Sequence, residues 1–169
     1  MKKPFFVLHL LCVLLLAQSC GQQSPLISTF ILVRHAEKVE DGTDDPDLKP
    51  EGQVRANNFA TMIRNTPIQA IYATKYKRTN NTVKPLSEHI DVPIQVYEPF
   101  KEDVIDKMLA DHRGGTVVIS GHSNNIPWTA NLLMGKEVYK EFLENEYGNI
   151  LIVSVVERGK VAQVTQLNF

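Results

Sequence analysis

Short apolar runs alternate four times with helix-forming stretches along this chain, and that alternation limits its possible folds more than any other feature. Thr29–Val33 (TFILV) and Thr116–Ser120 (TVVIS) lack the polar alternation of a half-exposed strand, the pattern of strands buried on both faces of a sheet. Ala70–Ala73 and Ile94–Tyr97 read as two further strands. Helices are predicted from Pro50 to about Arg64, over Thr79–His89, over Glu102–His112 and over Ile126–Met134. Pro50 suits a first helical position, and Val54, Phe59, Met62 and Ile63 are expected to form that helix's apolar side. Pro85 works against the second helix. Val104, Ile105, Met108 and Leu109 share one face of the third, and Gly135 stops the fourth. Ile150–Val156 and Val161–Leu167 flank Glu157-Arg158-Gly159-Lys160 and read as an antiparallel hairpin. The expected fold is α/β: a three-layer α/β/α arrangement whose mainly parallel central sheet is closed by a C-terminal antiparallel hairpin.

Residues 1–20 read as an address and not as part of this fold. Lys2 and Lys3 precede Phe5–Leu16 (FFVLHLLCVLLL), a run too short to span a bilayer and suited to a signal-peptide core. It ends at Ala17-Gln18-Ser19-Cys20, which resembles a bacterial lipoprotein cleavage site with Cys20 as the lipidated residue. Ala17 and Gln18 depart from the usual box, and an ordinary secretory signal cut nearby is the alternative reading. Residues 21–28 form a short polar tether and residues 29–169 one domain. The expected location is the bacterial cell envelope, with membrane contact through the lipid anchor only. Both cysteines, Cys12 and Cys20, fall in the address, so the domain has no thiolate chemistry and no disulfide. With 18 Lys+Arg against 19 Asp+Glu, bulk charge gives no basis for binding nucleic acid.

In open α/β sheets ligands bind beyond the carboxyl ends of the strands. Arg34, His35, Glu37 and Lys38 follow the first strand, Lys75, Lys77 and Arg78 the second, Glu98 the third, and His122, Ser123 and Asn124 the fourth. Two arginine forks match the oxygens of a tetrahedral phosphate. A neutral histidine can attack phosphorus, a second and protonated one can donate to the equatorial oxygens, and a carboxylic acid can protonate the leaving alkoxide. That set transfers phosphoryl groups to water with no cofactor and no metal.

Val33-Arg34-His35-Ala36-Glu37-Lys38 resembles the Arg-His-Gly/Ala-Glu signature of the histidine phosphatase superfamily, whose fold is called phosphoglycerate mutase-like. Leu48-Lys49-Pro50-Glu51-Gly52 is similar to the family's Leu-Thr-x-x-Gly helix start. Ile71-Tyr72-Ala73-Thr74 through Arg78, Thr79 and Thr82 resembles the segment with its second arginine, and Ile119-Ser120-Gly121-His122-Ser123-Asn124 the strand end with its second histidine. The resemblance implies that His35 is the phosphorylated nucleophile and that Arg34, Arg78 and His122 bind phosphate. It puts Glu98 where mutase-like members place their proton donor. Glu37, Lys38, Ser123 and Asn124 are further pocket candidates.

The departures are Ala36 for the commoner Gly, Asp41 where mutase-like members often carry Asn, and Lys49 where a capping Thr is usual, a loss of about 1 kcal/mol. The chain also lacks long insertions over the pocket, which favours a phosphatase of a phosphorylated small molecule or phosphoprotein over a mutase. A mutase and a non-catalytic anion-binding lipoprotein are the alternatives. Arg34 and Arg78 could instead pair with Asp44, Asp45 or Asp47, and Asp41 to Asp47 lacks the spacing of a calcium loop. Gly121-His122-Ser123-Asn124-Asn125 is no serine-hydrolase elbow, because the closing Gly is absent and no His follows His122.

Overall fold

The computed structural model describes residues 24–169, so the apolar N-terminal run, Cys12, Cys20 and the first three residues of the tether lie outside the described residues. The strands are β1 (Ser28–Arg34), β2 (Ile68–Ala73), β3 (Ile94–Val96), β4 (Thr116–Gly121), β5 (Asn149–Glu157) and β6 (Val161–Asn168). The helices are α1 (Pro50–Ile63), α2 (Lys77–Ile90), α3 (Glu102–Asp111) and α4 (Asn125–Met134). Every expected element is present, with ends within two residues of those predicted. β1 begins at Ser28, inside the expected tether. Among the described residues no helix is long and apolar enough to cross a membrane.

The strands form one sheet in the order β3-β2-β4-β1-β5-β6. β3, β2, β4 and β1 pair in parallel, whereas β5 and β6 add antiparallel beside β1. Each face carries its own core. Phe59, Ala60 and Ile63 of α1 and Val83 and Leu86 of α2 pack with Ile31, Val33, Ile71 and Val118 on one side. Ile105 and Met108 of α3 and Ile126, Ala130 and Leu133 of α4 pack with Phe30, Leu32, Tyr72, Ile119 and Leu151 on the other. Alternate residues of β1 therefore feed opposite cores, which is why its sequence shows no polar face.

Two expectations need correction. The apolar side of α1 is not the one read from Val54 and Met62, which are 59% and 48% exposed. Its buried face is Gly52, Ala56, Phe59, Ala60 and Ile63. Small residues let this helix close on the segment after β1: a Cβ on Gly52 would stand 2.3 Å from the Glu37 carbonyl oxygen. The second concerns Pro85, which lies within α2 without breaking it. Burial of Val83 and Leu86 on either side offsets the backbone bond that Pro85 cannot make. As expected, Lys49 supplies no side-chain cap to α1.

Candidate active site

Strand register brings the two histidines together. Arg34 pairs with Gly121 across β1 and β4, so the next residue on each strand, His35 and His122, emerges at the same edge. The His35 N–H donates to the Gly121 carbonyl at 2.8 Å, and the two imidazole centroids are 5.4 Å apart. Ala73 pairs with Ser120 across β2 and β4, which sets Thr74 beside His122. Buried hydroxyls then fix α2 against these strand ends. Thr82 Oγ1 accepts from the Ala36 N–H at 2.9 Å and donates to the Arg78 carbonyl at 2.7 Å, while Ser120 Oγ donates to the Thr79 carbonyl at 2.8 Å. These contacts set the first turn of α2, and with it Arg78.

A cavity of about 390 Å³ opens at this edge, lined among others by Arg34, His35, Arg78 and His122, with Lys38, Ser123 and Asn124 from the sequence-derived set. Arg34 is 1% exposed. Its Nη1 donates to the carbonyls of Leu143 at 2.6 Å and Glu146 at 3.2 Å, its Nη2 lies 3.4 Å from Glu144 Oε2, and its guanidinium stacks 4.4 Å from the Tyr147 ring centroid. The Arg78 guanidinium lies 4.5 Å from the Tyr76 ring centroid, and its Nη1 donates to the Asp44 carbonyl at 3.3 Å. Neither arginine is absorbed by the carboxylates of Asp44, Asp45 or Asp47. Asp45 instead accepts from the Lys77 N–H at the start of α2, and Asp47 from Leu48 N–H and Asn81. Asp41 is turned onto Thr43, away from the cavity. The buried Nε atoms of both Arg34 and Arg78 have no hydrogen-bond partner among the described residues. Two desolvated cationic donors without acceptors are costly unless an anion meets them.

The histidine tautomers follow from their partners. His35 Nδ1 lies 2.8 Å from its neighbour's carbonyl, Ala36 O, an acceptor only, so Nδ1 carries the proton and Nε2 keeps the lone pair. Thr79 Oγ1 donates to backbone carbonyls and so accepts from Thr74 Oγ1 at 2.9 Å. Thr74 in turn accepts from His122 Nε2 at 2.9 Å. This chain leaves His122 Nδ1 for a ligand. Asn125 holds the His122 backbone by accepting its N–H at 2.6 Å, and a Cβ on Gly121 would clash with that carboxamide at 2.4 Å.

Burial pushes His35 from 6.5 down to about 3, against the opposing pull of the Ala36 bond and with help from His122, Arg34 and Arg78. His122 falls from 6.5 to about 4, first through burial and then through Arg78 and Arg34. Both rings are therefore neutral at pH 7. From the sequence, the second histidine is a donor if protonated; burial holds His122 neutral, and a dianion beside it would favour the protonated form. The unfolded chain takes up protons at these rings near 6.5 and the folded one far lower. Their stabilising contribution is thus full above 6.5 and lost as the pH falls towards 3–4, by about 1.4 kcal/mol per pH unit for each ring. Melting temperature is expected to fall between pH 6.5 and 5, above the carboxylate range, and to fall less steeply in His122→Gln.

Two sequence-derived candidates stand elsewhere. Glu37 turns from the cavity to Arg55, whose Nε and Nη2 reach its carboxylate at 2.7–3.0 Å, and Arg55 Nη1 also donates to the Phe169 carbonyl. Burial raises the Glu37 pKa, but the Arg55 guanidinium outweighs it and holds the carboxyl below its usual range. Glu98 is exposed and outside the cavity lining, although Pro99 and Phe100 beside it line the cavity. The carboxylate that does line it is Glu144, 3.4 Å from Arg34 Nη2 and 3.8 Å from Lys38 Nζ. Sequence reasoning missed Glu144, Tyr76, Phe100, Asn125 and the whole of residues 136–148. That stretch has no periodicity. It is placed by the buried Phe142, whose N–H donates to the Ser123 carbonyl, and by the Arg34 bonds to its backbone.

Residues 30–104 match the model of the histidine phosphatase superfamily (branch 1). The fold is shared with the protein histidine phosphatase SixA complexed with tungstate, at a TM-score of 0.67 and 13% identity over 83% of this chain and 96% of that one. It is shared with a mycobacterial glucosyl-3-phosphoglycerate phosphatase (TM-score 0.64, 12% identity, 84% and 99% covered). The phosphoserine phosphatase of Entamoeba histolytica, in complex with 3-phosphoglyceric acid, is similar at TM-score 0.65 and 18% identity, with 84% and 97% covered. No curated protein sequence matches the chain.

Proposed function

We propose that this chain, whose residues 30–104 match the histidine phosphatase superfamily model and whose fold is that of the similar phosphatases, hydrolyses a phosphomonoester or a phosphorylated protein side chain through a phosphohistidine at His35. One observation carries the reading: a neutral imidazole with its Nε2 lone pair uncommitted lines the same cavity as two buried, unpartnered arginine N–H groups. The anion binds to Arg34, Arg78 and His122. The His35 Nε2 lone pair attacks phosphorus as the bond to the leaving oxygen breaks, and the electron pair departs with that oxygen. Glu144 is the carboxyl in the lining able to supply the leaving oxygen's proton. Water then attacks phosphorus and gives a proton back to the Glu144 carboxylate, the N–P bond breaks, and His35 Nε2 recovers its lone pair as inorganic phosphate forms. The positive field of the arginines stabilises the equatorial oxygens throughout. No step calls for a metal or cofactor. The test is incubation with an aryl phosphate in excess chelator. Turnover with an acid-labile, alkali-stable phosphoprotein supports the reading; activity that returns only with a divalent ion rejects it.

Small size and the open cavity favour a phosphatase over a mutase, which must retain its intermediate away from water. The protein histidine phosphatase SixA and the glucosyl-3-phosphoglycerate phosphatase among the similar structures are named for a protein and a metabolite substrate respectively, and both classes fall within this proposal. We propose further that the domain is held at the bacterial cell envelope by lipid on Cys20. The basic Lys2-Lys3 pair, the short apolar run and the Cys at its end support this. Mass spectrometry of the native N-terminus is expected to find a diacylated or triacylated Cys20; an unmodified terminus beyond it would reject the anchor.

A further inference from the structure

Phe100 sits at the mouth of the phosphate cavity in a conformation that stability does not account for. Its φ is +60°, the left-handed region that large side chains avoid. It follows Pro99 in the turn before α3, at a position where Gly would meet no such cost. The residue is 49% exposed, so the strain is not offset by full burial in the core. The ring is nevertheless held: its centroid is 5.4 Å from that of Trp128 on α4, edge to face. Strained, exposed and braced residues of this kind occur where a ligand uses them. The cavity also has a direction of extension. Asn124, in its lining, also lines a second depression of about 410 Å³ that reaches Trp128, Asn131 and Tyr139. A phosphate on Arg34 and Arg78 would have Phe100 in the same lining, with that depression adjoining it at Asn124.

We propose that Phe100, braced by Trp128, is a specificity-determining platform that stacks a flat ring in the leaving group, so that the preferred substrates are phosphorylated compounds with an aromatic or heteroaromatic group next to the phosphate. The turnover part of this proposal rests on the phosphatase reading; the binding part does not. A ring stacked on one aromatic side chain contributes binding worth about tenfold. The occupant is fixed by continuity, since whatever fills this mouth is covalently attached to the phosphate below it.

The substitution Phe100→Gly tests the platform without endangering the fold, because it removes the ring and the backbone strain together. Its melting temperature is expected to equal or exceed that of the parent. In the full chain, the ratio of kcat/KM for phosphotyrosine over glycerol 2-phosphate is expected to fall about tenfold, chiefly through KM. Trp128 is the sole tryptophan and reports binding directly. Benzylphosphonate is expected to change its emission, methylphosphonate not, and the difference to vanish in F100G. If the parent chain turns over neither ester yet still distinguishes the two phosphonates, the phosphatase reading falls and the platform stands. An unchanged kcat/KM ratio, or phosphonates that the parent chain cannot distinguish, overturns the platform.

Discussion

His35→Ala is expected to abolish turnover and the trapped phosphoprotein together. With phosphate bound, no substitute nucleophile remains in the lining. His122 donates from Nε2 to Thr74 and, once protonated beside the dianion, has no lone pair at Nδ1; Ser123 Oγ donates to Glu141 at 3.3 Å, and the described residues contain no cysteine. Deletion of a covalent nucleophile that works as a unit with its neighbours typically costs about 10⁶-fold in kcat. Arg34 Nε and Arg78 Nε survive the substitution, so the variant is expected to bind inorganic phosphate or tungstate more weakly but measurably. It is also expected to lose less stability on acidification than the parent chain, because one buried neutral imidazole is gone. Calorimetric titration with phosphate and gel analysis of acid-labile phosphoprotein together check this. Turnover within tenfold of the parent would remove His35 from the chemistry, and loss of phosphate binding with loss of melting temperature would make it a packing residue.

The parts of this molecule visible in the sequence are those governed by local pattern. β1 and β4 announce themselves because both faces are buried, and their strand ends deliver Arg34, His35 and His122 in consecutive register. α2 was legible through Thr79 and Thr82, whose hydroxyls carry the position of Arg78. What escaped was set by contacts distant along the chain. The packed face of α1 is built from glycine and alanine to admit the Glu37 backbone, so apolar periodicity pointed to the exposed Val54 and Met62. Glu37 was drawn to Arg55, eighteen residues away, by a bidentate ion pair that its own motif cannot reveal. Residues 136–148 had no pattern to read, yet their backbone carbonyls occupy Arg34 Nη1. Arg34 is therefore the anchor of the loop that brings in Glu144 and, in the proposed mechanism, a ligand of the anion as well. That double role explains a buried arginine with four contacts and one nitrogen, Nε, without a partner, where the sequence offered only a fork for phosphate.

In the proposed mechanism that loop supplies the leaving group's proton. The sequence pointed to Glu98, just beyond β3. In the fold the chain turns at Pro99 and Phe100, so these two line the cavity while Glu98 faces solvent. Glu144 lines the cavity with its side chain 75% exposed, held between Arg34 and Lys38 on the rim. A group at the rim can reach a leaving oxygen that points outward from phosphorus opposite His35 Nε2, since attack and departure are in line. General acid catalysis contributes about 10²–10⁴-fold where the leaving group is a poor one. Glu144→Gln is therefore expected to depress hydrolysis of glycerol 2-phosphate by about 10²-fold or more, and hydrolysis of 4-nitrophenyl phosphate only slightly. Phosphoprotein formation from the nitrophenyl ester is expected to persist, because a stabilised aryl oxide leaves without a proton. Glu98→Gln is the matched comparison: the same selective loss there, with Glu144→Gln inert, would return the role to Glu98. Equal losses on both esters in Glu144→Gln would mean that the carboxylate serves to hold Arg34 and the loop. A thermal melt distinguishes that outcome, since an unmoored loop would also release Phe142 from the core and lower the transition.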